Sequence, residues 1–82
     1  MLRRRQVERE LGVSRSAIYR QMLDGVLPRP VKVAPKRVGW IRAEVDAVCQ
    51  ARIAGASHDA LRILVTQLQR DRKGPLRTEV GQ

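Results

Sequence analysis

Phenylalanine is absent from this chain of 82 residues, which carries one tryptophan, one tyrosine, one cysteine and one histidine. Each scarcity closes a route. The lone thiol, Cys49, has no partner for an internal disulfide and cannot found a cysteine metal framework. With His58 the only imidazole, a structural zinc site would be short of ligands, so neither a metal nor any other cofactor is expected. The expected state of Cys49 is a buried, reduced thiol in a cytoplasmic protein. Tyr19 and Trp40, the only aromatics, are few for a surface that stacks unpaired bases. No stretch approaches the ~20 apolar residues of a membrane span. Nor does an apolar run of signal-peptide length follow Arg3-Arg4-Arg5. A cytoplasmic location without a membrane partner is the expectation. Tyr19 could suggest a recombinase nucleophile, but that chemistry needs cationic and acid–base groups arranged around a phosphate. A chain with room for one domain and one modest core has little space for them, so no enzyme is expected.

Acidic side chains are scarce too: 8 against 17 lysines and arginines, a formal net charge of +9. The imbalance is local. Residues 1–42 hold 11 basic and 3 acidic side chains, residues 43–82 hold 6 and 5. A basic half joined to a near-neutral half fits one surface that faces a polyanion and another that builds the fold.

Along the basic half, Val7 and Leu11 share a face of a helix from about Arg4 to Leu11, and Gly12 suits a left-handed stop. Ser14 is the N-cap of a second helix, with Val13 and Ile18 as its hydrophobic staple; this helix runs to about Leu23 and stops at Asp24-Gly25. Two helices separated by a short Gly-containing turn form the helix-turn-helix pattern. At ~100° per residue, Ile18 and Met22 face inward. Ser16, Tyr19 and Arg20 point the other way, with Arg15 at the border. Arginine suits forked contact with guanine, and the hydroxyls suit phosphates or bases.

The period then changes. Pro28-Arg29-Pro30 enforces an extended path. Val31-Lys32-Val33 and Val38-Gly39-Trp40-Ile41 read as strands around an Ala34-Pro35-Lys36-Arg37 turn. A hairpin carrying Lys32, Lys36 and Arg37 beside such a helix is a wing, suited to phosphates or a minor groove. Trp40 reads as core. A third helix begins near Ala43, with Val45, Val48, Cys49 and Ile53 as its apolar positions and Glu44 and Asp46 near its positive end. Gly55 stops it. Ser57 caps a last helix, to about Lys73, whose stripe of Leu61, Leu64, Val65 and Leu68 either completes the core or contacts a second copy. Arg70, Arg72 and Lys73 suit its negative end. Gly74-Pro75 is expected to end it. The predicted architecture is mainly α with a small β-hairpin: a winged helix-turn-helix over 1–55, a C-terminal amphipathic helix over 56–73 and a disordered tail over 74–82.

The run Val13-Ser14-Arg15-Ser16-Ala17-Ile18-Tyr19-Arg20, then Gly25 to Val33, then Val38-Gly39-Trp40 and Glu44-Val45, resembles the AlpA-type family of phage and mobile-element regulators. That family is related to excisionases, or recombination directionality factors. The resemblance covers roughly residues 2–53 and implies a MerR-like winged helix. It also implies a role in activating integrase or excision genes, or in bending attachment-site DNA so that a tyrosine recombinase excises the element. Carried over by position, Ser14, Arg15, Ser16, Tyr19 and Arg20 would be recognition-helix contacts, and Lys32, Lys36 and Arg37 wing contacts. The chain departs from the family pattern at Ala17, where Thr is usual, at Ala34-Pro35, where Gly is commoner, and at Val48, where Trp is expected.

The leading expectation is therefore a sequence-specific binder of double-stranded DNA, excisionase or transcriptional regulator or both. Expected partners are a tyrosine recombinase (integrase) and further copies of the chain assembling cooperatively on DNA, in the bacterial nucleoid. An RNA-binding module and an antitoxin-like interaction module, docking through the last helix, are the alternatives.

Overall fold

The computed structural model describes the backbone of residues 1–80 and the side chains of residues 1–72. Among the described residues, four helices and one antiparallel hairpin follow in the order α1 (Arg4–Leu11), α2 (Arg15–Leu23), β1 (Val31–Ala34), β2 (Arg37–Gly39), α3 (Arg42–Ile53) and α4 (His58–Val80). The result is a small winged-helix-like domain, as expected. Gly12 ends α1 at φ 69°, a left-handed position that L side chains rarely adopt. The N–H of Val13 then donates to the Glu8 carbonyl at 3.0 Å, satisfying an end-of-helix acceptor. Ser14 follows as the N-cap of α2, its Oγ accepting from the Ala17 N–H at 3.3 Å. Gly12 and Ser14 thus set the turn between the two helices.

β1 and β2 pair with Val31 opposite Gly39, Lys32 opposite Val38 and Ala34 opposite Arg37, so Val33 is an extra residue in a bulge. Trp40 leaves the hairpin and pairs instead with Leu2, the two backbones exchanging N–H···O bonds of 2.7 and 2.8 Å. This ends β2 at Gly39, short of the strand expected through Ile41. Trp40 is 2% exposed, and its indole Nε1 donates to the Pro28 carbonyl at 3.0 Å. One core cluster joins Leu2, Val7, Ile18, Leu27, Trp40 and Val45, with Leu11, Val13, Met22 and Cys49 at its margin. Burial pushes the Cys49 thiol above its usual range despite the opposing pull of Arg52.

A second cluster joins Val26, Val48, Leu61 and Val65, with Leu64 and Leu68 packed against it. The stripe on α4 therefore faces its own chain. Val48, where the family pattern has Trp, is fully buried in this cluster beneath α4. Ile53, expected as an apolar counterpart on α3, is instead 79% exposed at the helix end. Arg52 turns inward in its place and donates to Gln21 Oε1 at 2.7 Å.

Glu44 stands in the first turn of α3, as expected, and is also buried. Arg72 lies within α4, not in its last turn. Its guanidinium grips both oxygens of Glu44, through Nε at 3.0 Å and through a second, shorter bond from Nη2. A carboxylate taken out of water needs such a partner. The backbone of α4 runs past Lys73 and the Gly74-Pro75 step to Val80. The side chains from 73 onward and residues 81–82, on which the expectation of a disordered tail over 74–82 falls, lie outside the described residues.

Candidate nucleic-acid interface

The outward face of α2 follows from its inward one. Ile18 is fully buried and Met22 half-buried, so Arg15, Ser16, Tyr19 and Arg20 are turned to solvent. Ser14, Ser16, Ala17 and Arg20 line one shallow concavity. Within it the Ser14 and Ser16 hydroxyls lie 3.4 Å apart, and Ser14 is already engaged as the helix cap. Its hydroxyl retains a proton to donate, but its position is dictated by the cap. Tyr19 borders a different cleft, more apolar, which Met22, Leu23, Arg29 and Pro30 complete between α2 and the strand entering the hairpin. Arg15 lies on the opposite side, towards α1.

The wing residues are exposed throughout: Lys32 on β1, Lys36 in the turn and Arg37 at the start of β2. Even Val33 and Val38 are 43% and 52% exposed, so the hairpin beyond Val31 carries almost none of the core. The bulge at Val33 adds a residue between Lys32 and the turn, increasing the local twist of the ribbon. The geometry of Ala34-Pro35, where the family more often has Gly, is thus met by a bulge rather than by a left-handed residue: the described backbone has positive φ only at Gly12, Gly25 and Gly55.

Local sequence patterns did not single out the side chains that join these elements. Arg29, between Pro28 and Pro30, is exposed, while its backbone N–H donates to Gln69 Oε1 at 2.9 Å and its carbonyl accepts from Arg72 Nη2 at 3.0 Å. Arg62 Nε donates to the Asp24 carbonyl at 2.9 Å. α4 therefore holds both ends of the segment linking the helix to the wing. Nor was the basic side of α1 part of the expected interface. Arg5 and Arg9, four apart and both exposed, form a like-charged pair that the period of Val7 and Leu11 could have revealed.

The four residues considered for a contact with a second copy divide differently. Leu61 and Val65 are 5% and 3% exposed within the chain, and Leu64 and Leu68 are half-buried against them. Among the described residues, no three potential metal-ligating side chains come together. No described helix is long and apolar enough to cross a membrane.

Residues 1–53, from the start of the chain to the end of α3, match the family model of the prophage CP4-57 regulatory protein AlpA. The chain belongs to the AlpA family. This is a family of phage regulators, and the match takes in both helices of the helix-turn-helix, the wing and α3. A curated relative, the uncharacterized protein ORF88 of Enterobacteria phage P4, is 43% identical over 44 residues, or 54% of this chain and 50% of the relative. The AlpA-family chain thus spans about half the length of the curated relative it matches. No solved structure gives a match. α4 lies beyond the family-matched region.

Proposed function

We propose that this AlpA-family chain is a sequence-specific binder of double-stranded DNA encoded by a prophage or integrative element. It acts as an excisionase (a recombination directionality factor), as a transcriptional regulator of integrase or excision genes, or as both. α2 enters the major groove with Ser14, Arg15, Ser16, Tyr19 and Arg20 towards the duplex, while Lys32, Lys36 and Arg37 of the wing hold the flanking backbone. The observation that carries this reading is the division of α2 and the hairpin into two faces. Ile18 and Trp40 are buried, whereas all eight of those side chains are exposed and none belongs to an ion pair among the described residues. Cations held this way on an ordered scaffold have no ion pair to break when they meet phosphates, and they release the counterions condensed there.

An excisionase also bends its site, at about 1–6 kcal/mol by elastic estimates, and adjacent copies loaded on repeated sites supply the contacts that offset it. A tyrosine recombinase is the partner in that role, and the bacterial nucleoid is the place of action. The RNA-binding alternative has less support, because the burial of Trp40 leaves Tyr19 as the one aromatic able to stack on a base.

The test is to pull sheared host genomic DNA down on the full chain at ~0.15 M salt, where nonspecific binding is weak, beside Arg20→Ala, and to sequence what is retained. Enrichment near an integrase gene, lost in the variant, is expected. Clustered repeats at an element's end mean excisionase; a lone promoter peak means regulator. Uniform retention overturns sequence-specific recognition. On the retained site, Arg20→Ala is expected to lower affinity by about 1–3 kcal/mol with little change on random duplex.

A further inference from the structure

We infer that α1 supplies a further DNA-contacting surface, a phosphate clamp in which Arg5 and Arg9 join Arg15 at the α1-side edge of the recognition-helix face, away from the wing. The inference rests on the DNA-binding reading above and names the part of the duplex this surface holds. Four arginines, a single glutamate and Val13 line an open cleft of about 580 Å³ between α1 and the first residue of α2. Glu8 is not available to neutralise them, because it is paired with Arg4. That leaves Arg5, Arg9 and Arg15 exposed and without an ion-pair partner among the described residues.

Their spacing is itself unfavourable in isolation. Arg5 and Arg9 stand one helical turn apart on the same face, and like charges so placed repel. The helix offers no compensation at its own end, for its first turn contains no acidic residue. Three cations crowded around one cleft make sense where an anion sits between them. The cleft's position identifies the anion. Arg15 is the first residue of α2, and its neighbours Ser14 and Ser16 line the adjoining concavity with Arg20. The cleft therefore continues the recognition face towards α1, where the backbone at the edge of the groove passes when the N-terminal end of α2 is inserted. A phosphodiester at that edge is within the reach of arginine side chains whose forked donors fit phosphate oxygens. Arg15 is thereby assigned to the backbone, leaving Arg20 and Ser16 to the bases.

The experiment compares the full chain with Arg5→Gln/Arg9→Gln, using the duplex retained from genomic DNA and a random duplex of equal length, over a series of salt concentrations. Circular dichroism checks that the variant keeps its helices. Affinity for both duplexes is expected to fall by the same factor, with the slope of log K against log salt reduced by about 1.8, or ~0.9 for each phosphate that is no longer neutralised. Arg15→Gln is expected to behave in the same way, with a smaller change in slope. An unchanged slope in a folded double variant, while Arg20→Ala still lowers discrimination, overturns the clamp and leaves the DNA-binding reading intact. Loss of discrimination with an unchanged slope also overturns it, since the residues would then read bases. If the unaltered chain fails to prefer its retained duplex, the sequence-specific reading falls, and the slope on random duplex still decides the clamp.

Discussion

The two hydrophobic clusters are assembled on different principles. The first draws its six buried residues from the family-matched stretch on either side of the hairpin: Leu2, Val7 of α1, Ile18 of α2, Leu27, Trp40 and Val45 of α3. It is closed by burial, and its one notable polar contact is the indole donating to Pro28. The second has four buried residues, two from the same stretch and two from α4. There the apolar contact is thin, and directional polar bonds complete the attachment: Arg62 to Asp24, Gln69 and Arg72 to Arg29, and Arg72 to Glu44. Burial fixes α2 against its scaffold, while α4 is pinned by charge and by main-chain groups. A hydrophobic cluster tolerates small shifts, whereas a bidentate ion pair demands one geometry.

The largest effect is expected from Trp40→Ala, which should lower stability by about 3–5 kcal/mol in urea denaturation, as large-to-small changes in a closed core do. A decrease no greater than that of a surface substitution would mean that the first cluster is not the one holding the domain. Next is Arg72→Ala, which leaves Glu44 buried and unpaired and should cost about 3 kcal/mol, the low end for breaking a buried pair because Arg72 retains 17% side-chain exposure. Glu44→Gln combined with Arg72→Gln should recover most of that stability, since no uncompensated charge then remains. An Arg72→Ala variant that melts like the unaltered chain would show that the pair does not hold α4. The smallest effect belongs to the wing. Lys36→Ala should leave stability unchanged and flatten the salt dependence of DNA binding by about one unit; an unchanged slope would remove the hairpin tip from the contact surface.

The same contrast explains what could be read before the fold was seen. α1 and α2 were legible to the residue because their ends are written locally, in Gly12, Ser14 and Asp24-Gly25. The inward placing of Ile18, Val45 and Trp40 followed from period and side-chain type. Glu44 does stand at the positive end of α3, but its pairing with Arg72 and the place of Arg72 inside α4 were not legible, because a partner 28 residues away leaves no trace in local spacing. Ile53 fitted the period of α3 but fell at its last residue, where α4 no longer covers it. The proposed wing cations were visible as a charged turn. The arginines of α1 were overlooked, since a charged helix face is usually only a solvated one and the cleft beside it needs the turn at Gly12 to form.

Position 29 illustrates how such a scaffold can drift. α4 holds this residue by its amide and its carbonyl, and the exposed side chain lines the cleft it shares with Tyr19 and Leu23. Its chemistry can therefore change from cation to neutral, or to aromatic, without moving the frame that sets helix against wing. Proline alone is barred, since it has no N–H to give Gln69. Variation there would retune the surface between α2 and the hairpin while the skeleton stays constant, so this face can change one residue at a time without the chain first having to refold.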